Sequence, residues 1–414
     1  MLDIGNFDQS FWEFPESFSI LWTENTHAAR GAEMAKEFYF VFYSVLAVIL
    51  LLNAQMKGKG FWHENALSLP VSKGLLGFCA VGIMLHHMSQ TIYFAGEDTG
   101  ILLFMVDIGV CFVGVFFFFS GYGLYSSLRD KPDYLNGFLK KRLPVIVIPF
   151  YMCNFVYIAV SAAAGYSFRK GELLSYLTGW TLMNTQMWYI VEVLFLYLLF
   201  YLVFKPIKKK GAACLVYGIV LCAMVAGSLF LGHDNETVSG GAWFHGEWWY
   251  NATLMLLVGI LFARYEKPVL SFCRKYYGFV IVIDILMTCF FYEKTLFALQ
   301  TKGYWYEWDG YPGYAEKFQT LAVQLPFIFF FVLFVILLTQ KIQFKNKILS
   351  FLGEISLELY LVHNVFIVYL PVKNRFWYIA AVYAAGIVTA AVLHRIDRVL
   401  IGMLRKLLPV KEGL

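Results

Sequence analysis

Apolar residues run along this chain in long stretches broken by short polar ones. Eleven stretches predict helices, near 37–55, 74–94, 101–127, 145–165, 187–204, 212–231, 249–264, 278–293, 320–339, 354–371 and 376–394. Most approach the roughly 20 apolar residues that cross a hydrocarbon layer about 30 Å thick. In lipid a backbone must satisfy its own hydrogen bonds, and runs of this length do so as helices. The expected fold class is all-α: a polytopic membrane helix bundle of about eleven transmembrane helices.

The polar stretches orient the bundle. Of the 33 Lys and Arg, 24 fall in alternate connections, at 56–73, 128–144, 205–211, 264–277, 340–348 and after 394. Lys and Arg resist translocation, so this set is assigned to the cytoplasm. The N-terminus is then outside and the C-terminus cytoplasmic. The first 36 residues carry neither a basic leader nor an apolar core, and are expected to form an external tail, with Phe11, Trp12, Phe14 and Trp22 at the surface.

Composition narrows the function classes. The chain is 60% apolar, 19% aromatic and only 15% charged, which excludes a disordered or nucleic-acid-binding protein. The net charge of +5 follows from the orientation signal. None of the seven cysteines lies in a predicted outer loop and no pair has metal-ligand spacing, so packing roles and no metal are expected. No internal repeat, phosphate loop or GxSxG motif is present.

Ionisable groups inside apolar runs are costly and mark candidate sites. His86 and His87 share one run, followed by Ser89 and Gln90. An imidazole can take a proton from a hydroxyl near neutral pH. Adjacent helical positions point about 100° apart, so one ring is expected to act and the other to position it. Asp107 could orient an imidazole. Glu192 lies one turn beyond Trp188, while Asp284 has no polar neighbour in its run. Ser356, Tyr360 and His363 recur at i, i+4 and i+7, a polar stripe suited to lining a cavity. His233, Asp234, His245 and Glu247 share an outer loop without regular spacing and read as solvated polar residues. The aromatic, acidic outer segments 243–250 and 303–314 suit sugar stacking or a membrane-interface belt. The basic cluster Lys140, Lys141 and Arg142 anchors a cytoplasmic loop and suits an anionic ligand.

These pieces occur in an order that resembles the membrane-bound acyltransferase-3 family. They are the span carrying His86–His87, FFFFSGYGL at 116–124, KKRLPVIVIPF at 140–150, MWYIVEVLFLY at 187–197 and LGEISLELYLVH at 352–363. The resemblance runs from about Lys73 to residue 394. It implies a ten-helix acyltransferase domain over 73–414, ending in a short cytoplasmic tail, with 1–72 as an external tail plus one extra helix. The chain departs from the family in two places. The family's basic residue precedes the active His by eleven positions, whereas Lys73 lies thirteen before His86, and Gly114 stands where many members carry Asp.

The resemblance implies transfer of an acyl group, usually acetyl, from cytoplasmic acyl-CoA to a hydroxyl of an extracytoplasmic carbohydrate or envelope acceptor. His86 or His87 would be catalytic. Lys73, Ser120, Tyr122, Lys140, Lys141 and Arg142 would serve the acyl-CoA, with Ser120 and Tyr122 at the inner end of their helix. Asp107, Trp188, Tyr189, Glu192, Ser356, Tyr360 and His363 would orient groups or line the acceptor side. No bound cofactor is expected, acyl-CoA being a co-substrate, and a bacterial plasma membrane is the expected location. A transporter of a small polar solute is the alternative. Two matching halves with paired helix breaks would mark it, and no such halves are visible.

Overall fold

A computed structural model describes residues 29–230, 250–304, 306–308, 310–370 and 374–407. The tail aromatics Phe11, Trp12, Phe14 and Trp22, the loop residues His233, Asp234, His245 and Glu247, and the segment 243–249 lie outside the described residues. Nearly all the rest is helix. In order these are α1 (Ala29–Leu51), α2 (Leu69–Phe94), α3 (Leu103–Asp107), α4 (Gly109–Asp130), α5 (Phe138–Ala163), α6 (Lys170–Thr178), α7 (Trp188–Phe204) and α8 (Lys210–Ser228). Then come α9 (Leu254–Arg264), α10 (Glu266–Lys275), α11 (Tyr277–Thr301), α12 (Tyr314–Lys341), α13 (Lys347–Glu354), α14 (Ser356–Tyr369) and α15 (Arg375–Leu407). One two-residue antiparallel pair joins β1 (Gln55–Met56) to β2 (Ile342–Gln343).

Each of the eleven predicted stretches coincides with a helix, but not every helix is a plain span. Six described helices are long and apolar enough to cross a membrane, or seven if a bent pair counts as one. The others are shorter or carry charge. α7 has 17 residues and α9 only 11, and α11 contains Asp284, Glu293 and Lys294. Two predicted continuous spans are broken. The stretch 101–127 divides into a 3-10 turn, α3 and α4, with Ile108 at the junction. The stretch 354–371 is interrupted at its start: α13 ends at Glu354, α14 begins at Ser356, and the two bend by 76° at Ile355. A third difference concerns KKRLP. It belongs to the first two turns of α5 rather than to a loop, because a left-handed Gly137 starts that helix early.

α4 is the central post. Phe112 and Phe116 to Phe119 are all buried, and α2, α9 and α12 surround them. The tightest crossing is made by glycines. A Cβ on Gly121 would strike the Leu256 carbonyl, and one on Gly259 would strike that of Phe118. Bare backbone against backbone is how membrane helices approach closely, since lipid supplies no hydrophobic drive to hold them. Outward faces are apolar instead of charged. Phe279, Leu286 and Phe297 of α11 and Trp377, Val388 and Val399 of α15 are all more than half exposed. Such continuous greasy surface suits a bilayer and not water.

Candidate active site

His86 and His87 sit seven to eight residues before the Phe94 end of α2, about 12 Å along the helix. Their rings are 4.7 Å apart between centroids, and the ring of His87 stacks on His363 of α14 at 5.4 Å and 19°. The 100° offset between neighbours therefore does not separate them. Both imidazoles join one cluster, because His363 reaches in from a second helix to meet His87.

Hydrogen bonds assign the tautomers. His86 Nδ1 lies 2.7 Å from the Met105 carbonyl, which only accepts, so Nδ1 carries the proton. His363 Nδ1 likewise donates to the Leu359 carbonyl at 3.1 Å. His87 Nδ1 faces Gln90 Oε1 at 3.2 Å, and the Gln90 amide nitrogen donates to the Val106 carbonyl at 3.3 Å. That second bond fixes the amide orientation, so His87 also donates through Nδ1. All three rings are left with a bare Nε2 lone pair, the atom that can accept a proton. The Nε2 of His363 is fully buried and has no partner. Among the described residues, no group of three His, Cys, Asp or Glu converges to hold a metal.

From His363 a file of polar rings continues into the bundle. Tyr360 is 6.1 Å from His363, and Tyr189 is 5.4 Å from Tyr360. The Tyr189 hydroxyl reaches Ser120 Oγ at 3.4 Å, and the Tyr360 hydroxyl donates to the Gln186 carbonyl at 2.6 Å. Four helices thus supply one line: His86 and His87 from α2, His363 and Tyr360 from α14, Tyr189 from α7 and Ser120 from α4. Trp188 borders it, packed against Phe117.

Comparison with known proteins decides the family. The profile of an acyltransferase domain matches residues 74–395, well over half of the chain. The chain belongs to the acyltransferase-3 family. The greasy outer surface of α11 and α15 makes it a membrane protein. It is also 33% identical over 93 residues to acyltransferase MdmB of Streptomyces mycarofaciens, covering 22% of this chain and 24% of that relative. The match therefore spans about a quarter of that relative's length. No solved structure matches significantly.

Several expected site residues stand apart from the histidines. Asp107 ends α3 and makes no hydrogen bond or ion pair with either imidazole, since the broken helix offers the Met105 carbonyl to His86 instead. Glu192 is buried and accepts from Thr253, with its second oxygen unpartnered. Ser356 turns back to the Gly353 carbonyl at 3.2 Å, because it caps the bend instead of continuing the stripe. Lys73 is exposed on α2, about 20 Å from His86 along the helix.

The remaining residues lie toward the end predicted to be cytoplasmic. Ser120 is halfway along α4 rather than at its end, because α4 starts only at Gly109 and runs to Asp130. Tyr122 diverges from Ser120 to bond Glu266 at 2.8 Å, in a network that Arg129 completes. Lys140 and Lys141 are exposed. Arg142 is half-buried and donates to the Tyr134 hydroxyl at 2.9 and 3.2 Å, with its guanidinium beside that ring. In the segment 303–314, Trp308 is exposed and stacks on Tyr311 at 4.5 Å.

Sequence reading missed three features. It did not foresee the open backbone at Met105–Gly109, which carries no proline signal. It did not connect Thr253 with Glu192. It also passed over a third polar cluster, where His394 of α15 lies 2.9 Å from Glu358 of α14. Asp397, one turn further along α15, is buried with both carboxylate oxygens unpartnered.

Proposed function

We propose that this acyltransferase moves an acyl group, acetyl by preference, from acyl-CoA to a hydroxyl of an extracytoplasmic carbohydrate or envelope acceptor. The proposal takes eleven spans, with the N-terminus outside and the C-terminus in the cytoplasm of a bacterial plasma membrane. It treats 1–72 as tail plus extra helix and 73–414 as the acyltransferase domain. Basic residues concentrated in alternate connections support that orientation.

One observation carries the reading: a file of polar side chains, His86–His87–His363–Tyr360–Tyr189–Ser120, runs through a mostly apolar interior. The phosphates of the donor would meet Lys140, Lys141 and Arg142. Arg142 has only tyrosine partners among the described residues, so its charge is available to a phosphate. The pantetheine arm would pass Ser120 and Tyr189 toward the histidines. The acceptor hydroxyl would then lose its proton to the Nε2 of His86 or His87 as its oxygen attacks the thioester carbon. The C–S bond breaks and the thiolate takes the proton back from Nε2–H. Atoms and charge balance without a cofactor.

Protein purified into nanodiscs and given labelled acetyl-CoA tests this. Release of free CoA thiol with label on a soluble glycan supports it. Replacing both His86 and His87 by Ala should remove about 10²–10⁴-fold of the rate. Circular dichroism and gel filtration should be unchanged. Retained transfer in the double variant overturns the imidazole mechanism. Mass spectrometry of envelope glycans from strains with and without the gene identifies the acceptor.

A further inference from the structure

The connection between α11 and α12 is built more tightly than a link between two helices requires. Trp308 and Tyr311 exchange two backbone hydrogen bonds, at 3.0 and 2.8 Å, and their rings stack at 4.5 Å and 26°. Tyr306 meets Trp308 edge to face at 5.2 Å. Two ion pairs to α12 frame this turn. Glu307 pairs with Lys317, and Lys302 with Glu316 at 3.2 Å, where the Tyr311 hydroxyl also donates to Glu316 at 2.8 Å. Lys317 is 1% exposed, and a desolvated ammonium is costly unless its partner is held in place. Within this frame Trp308 still leaves 58% of its surface exposed.

A second, independent observation follows the chain inward from the turn. Tyr304, at its start, packs on Tyr250 at 5.1 Å, and both rings are fully buried. Asn251 comes next after Tyr250, and Thr253 donates to Glu192 of α7, one turn along from Tyr189 of the polar file. On this route Asn251 Oδ1 and Glu192 Oε2 have no partner, and both residues are more than nine-tenths buried. Buried oxygens in that state are rare and call for a polar partner from outside the chain. A hydroxyl both donates and accepts, so it satisfies an amide oxygen and a carboxyl alike.

We propose that the Tyr306–Trp308–Tyr311 turn docks a pyranose ring of the acceptor glycan. The proposal rests on the acyl-transfer reading and its orientation, which puts this turn outside, and it adds where the acceptor is held. An indole offers its face to the C–H groups of a sugar ring. The carboxylate of Glu316, the ammonium of Lys302 and the tyrosine hydroxyls beside it offer hydrogen bonds to sugar hydroxyls. A ring that only anchors a helix end at the membrane interface needs no frame of ion pairs around it. The unpartnered oxygens of Asn251 and Glu192 then lie on the hydroxyl-binding route from the turn to the polar file.

The test uses the full chain in nanodiscs, with acetyl-CoA and polysaccharide purified from a strain lacking the gene. Trp308→Ala should raise KM for the polysaccharide about tenfold, with kcat, KM for acetyl-CoA and thermal melting unchanged. Trp308→Phe should recover most of the loss, because a smaller aromatic face remains. Tyr306→Ala, read the same way, serves if Trp308→Ala fails to fold. The polysaccharide should also shift the tryptophan fluorescence of wild type more than that of Trp308→Phe, a readout that needs no turnover. A KM for polysaccharide within about twofold of wild type in both alanine variants overturns the docking turn. So does quenching of Trp308 by brominated phosphatidylcholine, taken as the difference between wild type and Trp308→Phe, since it puts the indole in lipid. Absence of CoA release from the wild type, with the fluorescence shift intact, instead overturns the acyl-transfer reading and leaves the sugar site standing.

Discussion

Two helix breaks in this bundle have almost the same backbone and opposite chemistry. At the first, Ile108 has φ −96° and ψ −2°. At the second, Ile355 has φ −96° and ψ 6°. The second break closes on itself: the Ile355 N–H donates to Phe351, the Leu359 N–H to Ile355, and the Ser356 hydroxyl to Gly353. The first surrenders two carbonyls, those of Met105 and Val106, to the side chains of His86 and Gln90 on a neighbouring helix. A conformation is therefore not a function. What separates a bend from a site is whether the groups freed by the break are reclaimed locally or kept for something else.

The second break should be the more fragile in folding and the first in chemistry. The largest effect is expected at the crossing that holds the bend. A Cβ on Gly77 would lie 2.5 Å from the Leu352 backbone, and Gly353 meets the Lys73 carbonyl just as closely. Gly77→Val should cost more than the ~1–3 kcal/mol of ordinary overpacking. The readout is a fall in melting temperature or loss of the monodisperse peak in detergent. An unchanged melt would show that the bend does not depend on this contact. An intermediate effect is expected from Gln90→Leu, which frees the Val106 carbonyl and the Nδ1 of His87. Activity should drop about tenfold with little change in melting, as for a lost orienting hydrogen bond of about 1.4 kcal/mol. The smallest should come from Ser356→Ala, which removes one hydroxyl bond from a break whose main-chain groups remain paired. A loss of about 0.5–1.5 kcal/mol and near-normal kcat are expected from thermal shift and turnover. A large loss of activity there would place Ser356 in the site and erase the contrast.

Much of this was legible in the chain. Apolar runs located all eleven helical stretches, because a membrane leaves the backbone few other options. The motif order led to the family, whereas the pairing of His86–His87 with His363 depends on how α14 packs on α2 and was not read from the chain. The breaks were not legible. Neither Ile108 nor Ile355 is itself a helix breaker, although Asp107 and Gly109 flank the one and Gly353, Glu354 and Ser356 surround the other. Their positions depend on tertiary partners, His86 and Gln90 for one, Gly77 and Lys73 for the other. Asp107 misled for the same reason, since a carboxylate is visible in sequence and a freed carbonyl is not. The polar spacing of Ser356, Tyr360 and His363 misled at Ser356, because periodicity assumes the helix is already under way.

The family match begins at Gly74, yet the segment before it is tied to the far end of α12 and to α13. Gln55 and Met56 pair with Gln343 and Ile342, Lys341 donates to the Gly58 and Phe61 carbonyls, and Asn346 donates to those of Ile49 and Leu52. Ancestry and mechanical integrity thus have different borders in this molecule. A shortened version cut at the inherited border would strip the partners from an ammonium, an amide and a strand edge at once, so expression work should begin upstream of α1.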